Sequence, residues 1–406
     1  MLVGLGLLVS LPFVFTYSGN LVGASLKAPL IYFCLFLYWG IVSSVFSEDI
    51  GLSLIYSLGY LALTIYALVL ARILVMEVSI EALISIFQFA LALNILLPLL
   101  AQVLDLFNPY VSQPGSGIER LSGFYGQPNP MGAASALFIL IFLGSLRWSL
   151  LSLFPLRGKT ILTIFYLVTF CASIWSLWQS SSRSAFLALL VTLIALLFIL
   201  GVKQIVNFRR GKLAALASVS LFSTLLLLAP AILIFSDTID AQSRAPGREY
   251  LSALSRTGDP SEIMTMNGRA QLWSYALQKV SERPWVGYGM GSTPSILAAR
   301  SFGGEVAWST RAHSAVIEAA VYTGYLGAAL FVLFIVSTIT RSTFFFLRGD
   351  KSLKYPFRLL VFYGVLSLVE PVILGSTRSS LLIVLIIGSY LSLKKATRES
   401  TISIRT

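Results

Sequence analysis

At 406 residues, with 57% hydrophobic side chains, 11% charged ones and a mean hydropathy of +0.85, the chain falls far below the roughly 25% charged content of a soluble domain. That composition excludes an ordinary soluble enzyme and points to a membrane protein. The formal net charge of +12 does not argue for nucleic acid as a partner, because the basic residues are spaced as a topology signal.

Apolar runs long enough to cross about 30 Å of hydrocarbon as helices are read at 2–17, 30–46, 52–71, 80–106, 129–147, 159–178, 184–201, 213–236, 325–347, 356–374 and 379–393. The expected fold class is an all-α polytopic transmembrane bundle of about eleven to twelve spans. The first run is short and lacks a basic n-region, so it reads as a helix that stays or as the remainder of a longer one, and not as a signal peptide. Arg147, Arg157, Lys203, Arg209, Arg210, Arg348, Lys351, Lys394 and Arg398 fall in alternate loops, which places those loops and the C-terminus in the cytoplasm. Cys34 and Cys171 both lie in expected spans, where a thiol behaves as a small hydrophobe. No CxxC pair suggests a metal or redox site.

Three regions follow: a bundle of about eight spans over 1–236, a long outward loop over 237–312, and C-terminal spans with a cytoplasmic tail over 313–406. A second outward segment covers 107–128. Within it, "GFYGQPNPMGAAS" (123–135) ends in two prolines ahead of a span. Asn129 is placed to cap that helix, and Tyr125 to face the cavity.

The long loop opens with Ser, Gly, Pro and Arg, a composition of irregular structure. "MNGRAQLWSYALQKVSERPW" (266–285) then carries Leu272, Trp273, Ala276, Leu277 and Val280 on one stripe at helical spacing. Asn267 reads as its N-cap and Pro284 as its stop, giving a short amphipathic helix on the outer, membrane-facing surface. "GYGMGS" (287–292) follows as a glycine-rich turn. It follows no strand and is no phosphate loop, so no nucleotide cofactor is expected, and the substrate should arrive attached to the membrane or from the far side.

Charges near the membrane carry the chemistry. Arg183 opens a span in "SSSRSAFLALL", and Arg269 stands at the first turn of the amphipathic helix. Guanidinium groups bind phosphate oxygens bidentately, and a helix start adds unpaired amides and the positive end of the dipole. The plainer reading is that both arginines snorkel to headgroups. Arg120, Arg244, Arg248, Arg256 and Arg300 read as solvated surface, whereas Arg311 and Arg378 stand at outer ends of spans. His313 is the one histidine of the chain; it is either a polar anchor or a general base, since neutral imidazole with an ordinary pKa of about 6.5 can take a hydroxyl proton near neutral pH. A zinc site needs further His or Cys ligands, so no metal is expected. Glu318 lies five residues on and is not paired with the imidazole. Glu370, ahead of Pro371, calls for a partner at membrane depth, with Arg378 or Arg183 as candidates.

"SSRSAFLALL", "NGRAQLWSYALQKVSERPWVGYGMGS" and "HSAVIEAAVYTGYLGAALF", in that order around one long outward loop and preceded by "QPNPMGAASAL", resemble the O-antigen ligase and polymerase family of bacterial envelope glycosyltransferases. The resemblance covers roughly 120–335. It implies a metal-independent, inverting transferase of the inner membrane, facing the periplasm and needing no cofactor. The donor would be a glycan on undecaprenyl pyrophosphate and the acceptor lipid A-core or a growing polysaccharide. On that resemblance Arg183 and Arg269 hold the pyrophosphate and His313 acts as base; the bilayer is the remaining partner. Ser314 follows the histidine where the family commonly has Asn. Protein O-glycosylation by the same fold and a lipid-linked-sugar transporter remain as alternatives, although a transporter's two similar halves are not evident.

Overall fold

A computed structural model describes residues 29–76, 80–112, 119–145, 156–208, 269–298, 311–347, 354–374 and 380–390. The expected spans at 2–17 and 213–236 lie outside the described residues, as do Asn267, Arg244, Arg248, Arg256, Arg300 and Arg378. The elements run α1 (Leu30–Val45), α2 (Ile50–Met76), α3 (Ile80–Val103), β1 (Tyr110–Ser112), β2 (Glu119–Leu121), a 3-10 turn (Gly123–Tyr125), α4 (Pro128–Ser145), α5 (Leu156–Gln179), α6 (Arg183–Phe208), α7 (Arg269–Glu282), α8 (Thr293–Ala298), α9 (Ala315–Leu347), α10 (Lys354–Val369) and α11 (Ser380–Tyr390). Among the described residues, five helices are long and apolar enough to cross a membrane by length and composition, those over Ile50–Leu74, Ala82–Val103, Thr160–Gln179, Arg183–Gly201 and Ala315–Leu347. The chain is an all-α polytopic membrane protein. The strands, an antiparallel pair in which Val111 faces Arg120, are a small clasp in the 107–128 segment.

The chain divides into two compact units, one of Met1–Glu77, Ser220–Arg341 and Ser367–Thr406, the other of Val78–Val219 and Ser342–Leu366. In the second unit α4 is wrapped almost completely: Ala136, Leu137, Phe138, Ile139, Leu140, Ile141 and Phe142 are all buried. A helix apolar on every face belongs inside other helices. Phe142 stacks on Phe170 of α5 with centroids 4.7 Å apart. Gly132 lets the turn after α5 come close, since a Cβ there would stand 2.5 Å from the Ser182 Cβ.

In the first unit α1 packs on α9 through Phe33 against Phe334 (centroids 4.7 Å) and Phe36 against Phe331 (5.4 Å). The 325–347 span is corrected here, because α9 begins at Ala315. Glu318 and Gly324 interrupt the apolar pattern in "AVIEAAVYTGYL", yet the carboxylate is satisfied internally and the glycine marks a break inside the helix, at φ 69° and ψ −173°. Around that break the "GYGMGS" turn docks by backbone bonds: Tyr288 N–H donates to Val321 O (2.9 Å), Gly289 N–H to Tyr322 O (2.9 Å), and Tyr325 N–H to Pro284 O (2.8 Å). From α1, the Trp39 indole donates to Trp285 O (3.0 Å) and Thr323 O (3.1 Å), and the Ser43 hydroxyl lies against Val286 O and Tyr322 O.

The Gly324 dihedrals belong to a region that is essentially glycine-only, and a Cβ there would meet Pro284 O at 2.5 Å. Gly324→Ala is therefore expected to destabilise by roughly 1–3 kcal/mol from backbone strain, with the clash added. The check is the melting temperature of the detergent-purified variant, and a native value would show that the break tolerates a side chain.

Candidate active site

The amphipathic helix forms as α7 and ends at Glu282, ahead of Pro284. Its apolar stripe is buried in protein and does not lie on a membrane surface: Leu272, Trp273, Ala276 and Val280 are all buried, Trp273 to 2% exposure. Leu277, expected on the same stripe, is 40% exposed, because it turns away from the face that Trp273 sets. The Trp273 indole explains the docking, since its N–H donates to Ala312 O at 2.6 Å. At the other end the Tyr288 hydroxyl donates to Glu282 Oε2 (2.9 Å). Burial, then the neighbouring Glu282, push this phenol up to about 12, so it stays a donor through the physiological range.

With α7 fixed, Arg269 at its first position reaches the end of α10. Its Nη1 donates to Val369 O (2.6 Å) and its Nη2 to Glu370 Oε1 (2.7 Å). Glu370 stands just past that helix, at 8% side-chain exposure, and its other oxygen, Oε2, lies 3.4 Å from His313 Nδ1. The partners of Glu370 found here are Arg269 and His313, where sequence reasoning offered Arg378 or Arg183. Sequence distance hid them, for Glu370 lies 101 residues from Arg269 and 57 from His313. Burial alone would raise the Glu370 carboxyl. The His313 hydrogen bond and the Arg269 charge outweigh it and hold the pKa below the ordinary carboxylate value.

His313 has a left-handed backbone, φ 51°, uncommon outside glycine. Its side chain is 31% exposed. In the tautomer that protonates Nδ1, the ring donates to Glu370 and Nε2 carries the lone pair, the arrangement in which a carboxylate orients a base and stabilises the imidazolium it becomes. Arg311, two residues earlier, donates from Nη1 to the Tyr322 hydroxyl (3.1 Å).

In the other unit Arg183 is the first residue of α6 and half-buried, in keeping with the expected helix start. Asn129 is not a cap ahead of α4. It sits inside the first turn, since the helix starts at Pro128, and its Oδ1 accepts from Arg120 Nη2 at 3.2 Å. Tyr125 is 37% exposed at the end of the 3-10 turn. Arg120 itself, expected on the solvated surface, is buried to 8% exposure. Its Nε and Nη2 donate to Ser180 O (2.9 and 2.6 Å), and Nη2 reaches Ser181 O (3.2 Å). The guanidinium thus satisfies carbonyls that the end of α5 leaves open, immediately before Arg183. No local pattern marks it, because Glu119 is exposed while Arg120 and Leu121 are both buried. Arg120→Ala should lower the melting temperature, through a stability loss of roughly 1.5–3 kcal/mol for each charged hydrogen bond removed, with Arg120→Lys recovering part of it in the same assay.

Residues 168–332 match the family model described as O-antigen ligase. Over that stretch the chain is similar to the O-antigen ligases. No curated protein matches the chain. The O-antigen ligase segment takes in Arg183, Arg269, Arg311 and His313, whereas Arg120, Asn129, Tyr125 and Glu370 lie beyond its ends. The match and the apolar helices together describe a multi-pass membrane protein similar to the O-antigen ligases.

Proposed function

We propose that the chain moves a glycan from undecaprenyl pyrophosphate to an acceptor hydroxyl on lipid A-core or on a growing polysaccharide, at the periplasmic face of the inner membrane. One observation carries the reading. The single imidazole and an arginine of the stretch similar to O-antigen ligases share one buried carboxylate, Glu370, which lies beyond that stretch.

The acceptor O–H loses its proton to His313 Nε2 as its oxygen attacks the anomeric carbon. A new C–O bond forms, the bond from that carbon to the phosphate oxygen breaks with inversion, and the electron pair leaves with the lipid pyrophosphate. Glu370 holds the imidazole through Nδ1 and steadies the imidazolium once formed. Arg269 uses two of its five N–H groups on Val369 and Glu370, and the others offset charge developing on the leaving phosphate. The resemblance assigns Arg183 to the same donor group, with the amides of its own helix start beside it; Arg311 and Arg378 are proposed as further contacts to the substrate, as are Asn129 and Tyr125. No step requires a metal.

The test is expression in two bacterial hosts, one lacking its O-antigen ligase and the other its polymerase, with lipopolysaccharide resolved on a gel. O-antigen restored on lipid A-core identifies a ligase, and a restored ladder identifies a polymerase. Labelled lipid-linked glycan that crosses sealed vesicles with no new glycosidic bond would overturn the reading in favour of transport.

A further inference from the structure

Glu318 is fully buried, at 0% exposure, and takes no part in the proton transfer just derived. Its Oε1 accepts the Ala312 N–H at 2.9 Å, and its Oε2 accepts the Thr293 hydroxyl at the start of α8. The carbonyl of the same Ala312 accepts the Trp273 indole at 2.6 Å. Both polar ends of one residue are therefore gripped by side chains, one from the head of α9 and one from α7, and the next residue is His313, in its left-handed conformation. Sparsely populated backbone geometry at a bulky residue persists only where the surroundings over-determine it, and this clamp supplies the constraint.

We infer that Glu318 is a positioning residue for His313: the carboxylate, with Trp273 opposite, locks the Ala312 peptide and so aims the imidazole. The inference rests on the reading of His313 as the base. The arrangement explains a buried carboxylate at the head of an apolar helix. It is an acceptor for the Ala312 amide and for the Thr293 and Tyr322 hydroxyls, and His313 is not among its hydrogen-bond partners named here.

The experiment compares Glu318→Ala, Glu318→Gln, Trp273→Phe and His313→Ala, purified in detergent with lipid-linked glycan and acceptor. It reads kcat, both KM values and the melting temperature. A base misplaced by about 1 Å loses on the order of a hundredfold. Glu318→Ala should therefore drop kcat by about that factor with both KM values within about threefold of native. Glu318→Gln, whose amide oxygen can still accept the Ala312 N–H, should recover kcat to within about tenfold of native, and Trp273→Phe should fall between them. In a His313→Ala background, adding Glu318→Ala should lower the residual rate no further, because groups acting through one another are not additive. Native kcat in Glu318→Ala overturns the inference, as does an additive double variant. Equal impairment of Glu318→Gln and Glu318→Ala overturns it in favour of a role for the charge itself. If Glu318→Ala does not fold, Trp273→Phe at native kcat has the same consequence. Turnover retained by His313→Ala would instead sink the assignment of the base, a separate result from any of these.

Discussion

His313→Ala is expected to cut glycan transfer by about two to four orders of magnitude, the usual contribution of a positioned proton acceptor, while the melting temperature stays close to native. The side chain is 31% exposed and its contact with Glu370 Oε2 is a long 3.4 Å, so removing it should cost the fold little. Loss of rate without loss of fold separates the base from the polar anchor, the two readings left open by a lone histidine at a membrane edge. The assay is single-turnover transfer from purified lipid-linked glycan. A variant that transfers at the native rate removes His313 from the chemistry and leaves Glu370 and Arg269 as an ion pair with a structural role.

Glu370→Ala should act on both fold and rate. Breaking a buried ion pair leaves the remaining charge uncompensated, a penalty of about 3–5 kcal/mol, and Arg269 is only 16% exposed. Glu370→Gln keeps the shape and removes the charge, so it should fold better than the alanine variant yet remain slow. The pH dependence is distinctive. A carboxyl whose folded pKa is depressed contributes stability that is complete above the unfolded value and is lost as pH falls through the lower folded value. Melting temperatures taken down the acid range should therefore fall more steeply for the native protein than for Glu370→Gln. Parallel curves would mean that neither Arg269 nor His313 stabilises the ionised carboxylate.

Much of the architecture was legible because hydrocarbon imposes one rule, that a spanning segment be long, apolar and helical. α1, α5 and α7 stand close to where hydropathy and helical spacing put them, and Pro284 ends α7 as its lack of an N–H requires. The errors have a common source. Glu318, Glu370 and Arg120 were read by side-chain type at their own position, whereas their roles follow from partners between 6 and 101 residues away. A charged residue beside an apolar run looks like a boundary. It becomes an interior residue when another element brings a matching donor or acceptor, and no local pattern announces that match. Arg269, His313 and Glu370 each stand out by residue type and position, whereas the contacts that join them do not.

The break at Gly324 also has an order in time. A bent helix in lipid leaves carbonyls whose only alternative to a partner is exposure to hydrocarbon. Here Val321, Tyr322 and Thr323 are met by Tyr288, Gly289, Trp39 and Ser43. Every one of those donors precedes its acceptor in the chain. Synthesis runs from the N-terminus, so α1 and the glycine turn have left the ribosome before α9 enters the bilayer, and the partners of the break are made before the break itself.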